Sequence, residues 1–280
     1  MAERLIDADG VELCAEGFGE PTDPPVLLIH GLGASMLWWD EGFCRLLADG
    51  GRWVIRYDHR DTGRSVTYPP GRPGYTGADL VDDAAGVLDA FGIAAAHVVG
   101  ASAGGAFAQL LALDHPERVR SLVLISTSPA VPGERSLPGP TEAFGRFFAS
   151  SAEVDWADEG SVTDYLVGYM RLLAGDQRPF ESTAARDLVG RDIARARDHA
   201  ATRNHDVLAE GDRVRPPLST VGVPTLVVHG TADPMFPVEH GEALAAEIPG
   251  ATLLRLDGAG HGVDRADWPI LTRAILDHTG

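Results

Sequence analysis

The sequence has few cysteines and no long hydrophobic run. Cys14 and Cys44 are its only cysteines, too few for a disulfide framework or a cysteine-based metal site, and they are predicted to be an inward strand residue and a helix residue. The longest stretch of small and apolar residues, 98–113, includes Gln109 and several glycines, which excludes a membrane span. The first residues mix charges and lack an apolar segment, so we expect no signal peptide and a cytoplasmic location.

Basic residues are also scarce. The chain of 280 residues has 23 Lys and Arg against 41 Asp and Glu, a formal net charge of −18. A strongly anionic surface keeps a protein soluble and repels nucleic acid and anionic membranes. We therefore expect a small-molecule partner, with neither nucleic acid nor a membrane involved. A homo-oligomer is compatible with this composition.

Apolar runs typical of buried parallel strands alternate with segments of helical periodicity. After an N-terminal hairpin that turns at residues 9–10, strands are predicted at 25–30, 53–57, 97–99, 121–125, 223–229 and 251–256. Helices are predicted at 78–91, 103–115, 238–248 and 268–278. Strands that alternate with helices predict an α/β fold: a mostly parallel central sheet with helices on both faces.

The alternation stops after Ser126 for about 95 residues, which is too long for a structureless loop in a compact domain. Thr141 is a candidate N-cap for a helix that aligns several phenylalanines. The run 161–164 has the capping-box pattern of a second helix, and a third helix is predicted at about 183–204.

These helical segments predict an inserted cap. The proposed division is a core of residues 1–128 and 217–280 with a helical cap of residues 129–216 inserted in it. We expect the aromatic faces of the cap to turn toward the carboxyl edge of the sheet.

Ser102 lies between glycines two positions away on either side, directly after an apolar run. This G-x-S-x-G pattern is typical of a nucleophile elbow, a strand-to-helix turn whose middle residue has strained backbone geometry. Such a turn exposes the Ser102 hydroxyl, so Ser102 is the candidate nucleophile.

His261 and Asp233 each follow a late strand, at the sheet edge where Ser102 is expected. His261 is flanked by glycines, so it can approach Ser102 and serve as general base. Asp233 is the candidate for orienting His261, since the chain order Ser, Asp, His is the one expected here. Asp257 and Asp264 are rivals because they are near His261 in sequence.

The other histidines are weaker candidates. His97 begins its strand and is expected at the opposite edge, His240 lies in a helix, and His30 and His229 end strands near the site. The remaining histidines fall in charged loops or helices and are expected to be solvated: His59, His115, His199, His205 and His278.

Backbone N–H groups are the expected donors for an oxyanion, namely those of Ala103, at the start of a helix, and of Leu32, in the loop after the first parallel strand. The candidate substrate pocket is aromatic and suits a flat molecule. Its predicted residues are Trp38, Trp39, Phe144, Phe147, Tyr169 and Phe236.

The strand order, the loop 30–33, the elbow, Asp233 and His261 resemble the α/β-hydrolase fold. More narrowly, the segments 10–13, 54–65, 113–115 and 223–227 resemble the aclacinomycin methylesterase group, whose members cleave a carbomethoxy ester of an anthracycline. The chain differs from that group at His30, Leu32 and Ala103. At Ala103 the group commonly has a bulkier methionine, so we expect more room beside the nucleophile.

The resemblance and the candidate residues together predict a serine esterase that uses neither cofactor nor metal. We expect it to cleave a carboxylic ester, such as a methyl ester of an aromatic polyketide in antibiotic biosynthesis, through an acyl-enzyme. A cofactor-free perhydrolase or haloperoxidase is the alternative, because it uses the same three residues and resembles the run 103–105. Dehalogenases and epoxide hydrolases are disfavoured, since they use an aspartate where this chain has Ser102. A ligand-binding protein without catalysis is also disfavoured, because it would not need all three residues.

Overall fold

A computed structural model describes residues 2–133, 135–150 and 154–280. Within them, the strands are β1 (Arg4–Ala8), β2 (Val11–Phe18), β3 (Pro25–Ile29), β4 (Trp53–Tyr57), β5 (Ala96–Ala101), β6 (Val119–Ile125), β7 (Thr225–Gly230) and β8 (Thr252–Leu256). The α-helices are α1 (Glu41–Asp49), α2 (Gly77–Ala90), α3 (Ala103–Asp114), α4 (Glu142–Ala149), α5 (Glu159–Leu173), α6 (Ser182–Arg195), α7 (Glu239–Glu247) and α8 (Trp268–His278). No helix among the described residues is both long and apolar enough to cross a membrane.

The strands form one sheet in the order β1-β2-β4-β3-β5-β6-β7-β8. β1 and β2 form the predicted hairpin, and β2 also pairs with β4 in antiparallel orientation. All the other neighbours are parallel. Parallel strands need crossover connections, which the helices provide, so the carboxyl ends of β3 and β5 to β8 lie at one edge.

The core lies on both faces of this sheet, because successive strand residues point in opposite directions. In β3, Val26 and Leu28 pack on the face covered by α1 and α8. Leu27 and Ile29 pack on the face covered by α2 and α3. All five residues of β3 are buried, as expected for a strand with helices on both sides. The prediction of an α/β fold with a mostly parallel sheet and helices on both faces is confirmed.

The helices α4 to α6 lie between β6 and β7, in the part of the chain where the alternation stops. Thr141 caps α4 as predicted, since its hydroxyl accepts a hydrogen bond from Phe144 N–H at 3.3 Å. α5 and α6 pack together through a small apolar cluster that contains Val167, Ala185 and Val189. The division into a core and a cap at residues 129–216 stays a prediction.

Two helix boundaries in this region were wrong. The run 161–164 does not begin a helix, because Asp158 Oδ2 accepts from Ser161 N–H at 2.8 Å and α5 begins at Glu159. The third helix ends at Arg195 rather than near residue 204, since Ala196 has extended backbone geometry. A separate 3₁₀ segment, His199–Val207, follows and is capped by Asp198. A capping side chain sets the first boundary and an extended residue sets the second, and the wider periodicity reveals neither.

The fit between α3 and β3 can be tested by exchanging one glycine. A Cβ on Gly104, in the first turn of α3, would collide with the carbonyl oxygens of Ile29 and His30. Gly104→Ala is therefore expected to lower the unfolding free energy by about 1–3 kcal/mol, measured by urea denaturation.

Gly190→Ala is the matched control, because Gly190 lies in α6 with no atom within 4 Å of an added Cβ. This exchange should raise the unfolding free energy by up to about 1 kcal/mol, since alanine is the better helix former. Equal effects of the two exchanges would contradict the proposed close approach.

Candidate active site

Ser102 joins β5 to α3 in a strained turn. Its φ is 55°, a left-handed conformation that costs a non-glycine residue on the order of 1–3 kcal/mol. Its N–H donates to the carbonyl oxygen of Ile125, at the end of β6, at 2.9 Å. A Cβ on Gly100 would collide with the backbone of Gly104, so the flanking glycines allow the strand and the helix to meet. This is the geometry that the G-x-S-x-G pattern predicts.

Asp233, in the loop after β7, has a buried carboxylate, 4% exposed as a residue. Its Oδ1 accepts hydrogen bonds from the N–H groups of Met235 and Phe236, both at 2.9 Å. Its Oδ2 lies 2.8 Å from Nδ1 of His261. The two backbone donors hold one oxygen, so the other is directed at the imidazole.

His261 is held at both its side chain and its backbone. Its Nδ1 faces Asp233, and its N–H donates to the carbonyl oxygen of Leu173, at the end of α5, at 2.7 Å. Its Nε2 is buried and has no hydrogen-bond partner among the described residues. In the neutral tautomer whose Nδ1–H donates to a carboxylate, the lone pair of the imidazole is on Nε2.

The end of β6 connects His261 with Ser102. Ser126 Oγ accepts a hydrogen bond from Gly262 N–H at 3.1 Å, while the preceding residue, Ile125, holds Ser102 N–H. The loop of His261 and the turn of Ser102 are thus fixed to consecutive residues. Ser126 was not predicted from the sequence, although its place directly after an apolar strand is the kind of signal that singled out Asp233.

His229 supports the loop that carries Asp233. Its Nε2–H donates to the carbonyl oxygen of Phe236 at 2.7 Å and lies 3.5 Å from Asp233 Oδ2. The rival carboxylates act elsewhere: Asp264 caps the 3₁₀ segment Arg265–Asp267, and Asp257 Oδ1 accepts from Thr231. The structure therefore brings His261 together with Asp233 and not with its sequence neighbours.

The loop after β3 lies directly against Ser102. A Cβ built on Gly31 would be 3.2 Å from Ser102 Cβ and 3.4 Å from its Oγ. Leu32 follows in this loop and is 41% exposed, and Ala103 is the first residue of α3. Both candidate oxyanion donors thus belong to segments that adjoin Ser102.

Three of the predicted pocket residues form an aromatic cluster on α4 and α5. The ring of Tyr169 lies 6.2 Å from that of Phe144 and 6.3 Å from that of Phe147. Burial raises the pKa of the Tyr169 phenol, and the negative charge of Asp233 adds to this shift. Phe236 lies apart from this cluster, with its ring 5.7 Å from that of His261.

The two adjacent tryptophans both contact His30 but differ in exposure. Trp38 is partly exposed, its ring lies 5.9 Å from that of His30, and its Nε1–H donates to Asp192 of α6 at 2.8 Å. Trp39 is only 1% exposed, and its ring lies 5.5 Å from that of His30 and stacks on that of Phe43 at 6.1 Å. That both tryptophans line the pocket stays a prediction.

Two histidines that we expected in solvent are buried. His59 is 1% exposed and His205 is 4% exposed. His59 Nε2–H donates to the carbonyl oxygen of His30 at 3.0 Å, and His205 contacts the loop after β3. Their charged sequence neighbours indicated solvent, but tertiary contacts bury both rings.

In the described part of the chain, no three His, Cys, Asp or Glu side chains converge into a group that could hold a metal ion.

Burial also lowers the pKa values of the two buried histidines, His59 and His205, and of His30. It lowers the pKa of His30 to about 3, that of His59 to about 4 and that of His205 to about 3, from an ordinary value of 6.5. The unfolded chain therefore binds protons below pH 6.5 that the folded chain does not, so acid favours unfolding. Asp58 and Asp83 oppose this effect, because burial raises the pKa of both carboxyls, that of Asp58 to about 6, but the histidines whose pKa is lowered outnumber them.

The unfolding free energy is expected to be lower at pH 5.5 than at pH 7.5 by on the order of 3 kcal/mol. Urea denaturation at the two pH values measures the difference, and circular dichroism without urea verifies that the chain is folded at both. An unchanged or higher unfolding free energy at pH 5.5 would contradict the burial of neutral histidines.

Known proteins resemble the chain over its whole length. The α/β-hydrolase fold family matches residues 24–263. The rhodomycin D methylesterase DauP of Streptomyces sp. (strain C5) is 36% identical over 299 residues, which cover 100% of this chain and 98% of that protein. The rhodomycin D methylesterase DnrP of Streptomyces peucetius is 35% identical over 298 residues, with 100% and 98% covered.

A solved structure agrees with these relatives. The esterase RhEst1 from Rhodococcus sp. ECU1013 has a TM-score of 0.76 and 25% sequence identity, and the match covers 100% of both chains. The relatives confirm the resemblance that the sequence motifs indicate. The chain therefore belongs to the α/β-hydrolase fold family.

Proposed function

We propose that this carboxylic ester hydrolase is a serine esterase that works through an acyl-enzyme, with Ser102 as nucleophile, His261 as general base and Asp233 as the residue that orients His261. The methylesterase relatives support ester hydrolysis. The observation that carries the mechanism is the buried, unpartnered Nε2 of His261, whose Nδ1 lies 2.8 Å from Asp233. It supplies a base at the sheet edge where the strained Ser102 turn lies.

In the first half of the reaction, Ser102 Oγ attacks the ester carbonyl carbon while His261 Nε2 takes the hydroxyl proton. The carbonyl oxygen becomes an oxyanion, and the alcohol then leaves with the proton from His261. In the second half, a water molecule gives a proton to His261 and attacks the acyl-enzyme. Ser102 regains that proton, and the carboxylic acid leaves.

The N–H groups of Leu32 and Ala103 are the proposed oxyanion donors. Ala103 N–H lies at the N-terminus of α3, where the helix dipole favours negative charge. In the part of the chain that the structure describes, neither N–H donates to another residue. Two N–H groups without a partner in these residues can stabilise the negative charge that develops on the ester carbonyl oxygen only during the reaction.

The proposed substrate is a methyl ester of a flat, aromatic polyketide, of the kind found in antibiotic biosynthesis. Two methylesterase relatives are named for rhodomycin D. The rings of Phe144, Phe147 and Tyr169 provide apolar faces on α4 and α5, and Phe236 adds one beside His261. Flat rings bury large apolar areas against such faces. Trp38 and Trp39, whose rings contact that of His30, are the other two proposed pocket residues.

Replacing the nucleophile tests the mechanism. Ser102→Ala is expected to lower kcat for p-nitrophenyl acetate by about 10⁴- to 10⁶-fold, because no other group can form the acyl-enzyme. A fluorophosphonate probe should label the original chain at Ser102 and should not label the variant.

Ser126→Ala is the matched control, since it removes a nearby serine hydroxyl whose hydrogen bond among the described residues is the one that it accepts from Gly262 N–H. It should still be labelled at Ser102. Near-full esterase activity in Ser102→Ala, or labelling at another serine, would refute the assignment.

The substrate class predicts a preference that can be measured. A polycyclic carbomethoxy ester should be hydrolysed with a kcat/KM at least about tenfold above that of p-nitrophenyl acetate, since its rings bury apolar area that a small ester lacks. Tyr169→Ala should remove most of this preference while it changes the rate with p-nitrophenyl acetate by less than about threefold. A preference for the small ester would argue against a polyketide pocket.

A further inference from the structure

We propose that His205 is a positioning residue that holds the loop after β3, so that Leu32 N–H can bind the oxyanion. The proposal rests on the esterase function proposed above. His205 lies in the 3₁₀ segment His199–Val207, far from this loop in sequence. It touches neither Ser102 nor His261 in the described contacts, so it would act through the backbone of the loop.

The contacts of His205 define its tautomer. Its Nδ1 lies 2.7 Å from the backbone nitrogen of Gly33, and its Nε2 lies 2.9 Å from the carbonyl oxygen of Arg60. Gly33 N–H can only donate and the Arg60 carbonyl can only accept. The proton is therefore on Nε2, and Nδ1 is the acceptor.

Both peptide groups next to that of Leu32 are held by imidazole rings. Gly31 N–H donates to His30 Nδ1 at 2.8 Å, and Gly33 N–H donates to His205 Nδ1. Between them, Leu32 N–H has no partner among the described residues. Since the neighbouring peptide planes are held, the direction of the Leu32 N–H is held as well.

Gly33 is where this loop is easiest to deform. Its φ is 73°, and no atom lies within 4 Å of the Cβ position. Because glycine populates many backbone conformations, an external hydrogen bond is needed to select one of them. His205 supplies that bond.

His205 is itself rigid. It is 4% exposed, and its ring makes edge contacts with the rings of His59, at 6.2 Å, and Tyr75, at 6.4 Å. The preceding Asn204 donates to Asp61 Oδ2 at 2.9 Å, which fixes the segment to the charged loop after β4. Burial lowers the pKa of His205 to about 3, so Nδ1 remains an acceptor near neutral pH. A rigid acceptor restricts the loop more than a solvated side chain could.

Two amide substitutions separate the two hydrogen bonds of His205. In His205→Asn, the side-chain oxygen is at the position of Nδ1 and can still accept from Gly33 N–H, while the contact with Arg60 is lost. In His205→Gln, the amide nitrogen can replace Nε2–H at Arg60, while the contact with Gly33 is lost. His97→Asn is the control, because the hydrogen bond of His97 Nδ1 among the described residues is to Ser121, in the neighbouring strand β6.

We expect His205→Gln to lower kcat for p-nitrophenyl acetate by about 10- to 100-fold with KM changed less than about threefold, because the oxyanion forms only in the transition state. Affinity for an aryl trifluoromethyl ketone, which adds to serine to form an oxyanion, should fall by a similar factor. His205→Asn and His97→Asn should keep kcat within about threefold. Hydrogen exchange at Gly33 N–H should be faster in His205→Gln alone.

Equal kcat values for His205→Asn and His205→Gln would overturn the proposal, whether both are high or both are low. So would equal exchange at Gly33 N–H in the two variants. If the original chain cleaves no ester and the fluorophosphonate probe does not label Ser102, the proposed esterase function is refuted. The exchange measurement would then still decide whether His205 holds the loop.

Discussion

The site depends on the close approach of the first turn of α3 to the ends of β3 and β5. At Gly104 the helix backbone leaves no room for a side chain against the carbonyl oxygens of Ile29 and His30. This approach places the turn of Ser102 beside the loop that follows β3. It thereby brings the proposed nucleophile beside the segments that carry the two proposed oxyanion donors, although they follow different strands. The strain at Ser102, with φ at 55°, persists because packing on both sides leaves the turn no alternative.

The segments between β6 and β7 contact the loops of the proposed site directly. The carbonyl oxygen of Leu173 holds His261 N–H, and His205 holds Gly33 N–H. In α6, Asp192 holds the indole of Trp38. The loops that carry the proposed base and the proposed oxyanion donor are therefore each fixed by the part of the chain between β6 and β7. A change in how this part of the chain packs would alter the geometry of both loops.

The sequence predicted those features that depend on short-range rules. Ser102, Asp233 and His261 were proposed because each follows a strand and carries a local pattern, and the α/β alternation predicted the sheet. It did not reveal that Trp39 is nearly fully buried while Trp38 is partly exposed, since two adjacent aromatic residues in a turn do not show which one packs in the core. It failed at His59 and His205 because charged neighbours predict solvent, whereas packing decides burial. Ser126 was missed because its role depends on a hydrogen bond to a residue 136 positions away.

The amino-acid sequence by itself determined the periodicity of the strands and helices, the glycines that permit the elbow, and the order of the three proposed catalytic residues. These follow from backbone sterics and hydrophobic patterning, which act over a few residues. Only the tertiary structure decided that Asp233 rather than Asp257 or Asp264 faces His261, and that a histidine 172 positions from Gly33 holds its N–H. The physical reason is that a hydrogen bond needs its atoms within about 3 Å, and only the packing of distant segments sets such distances.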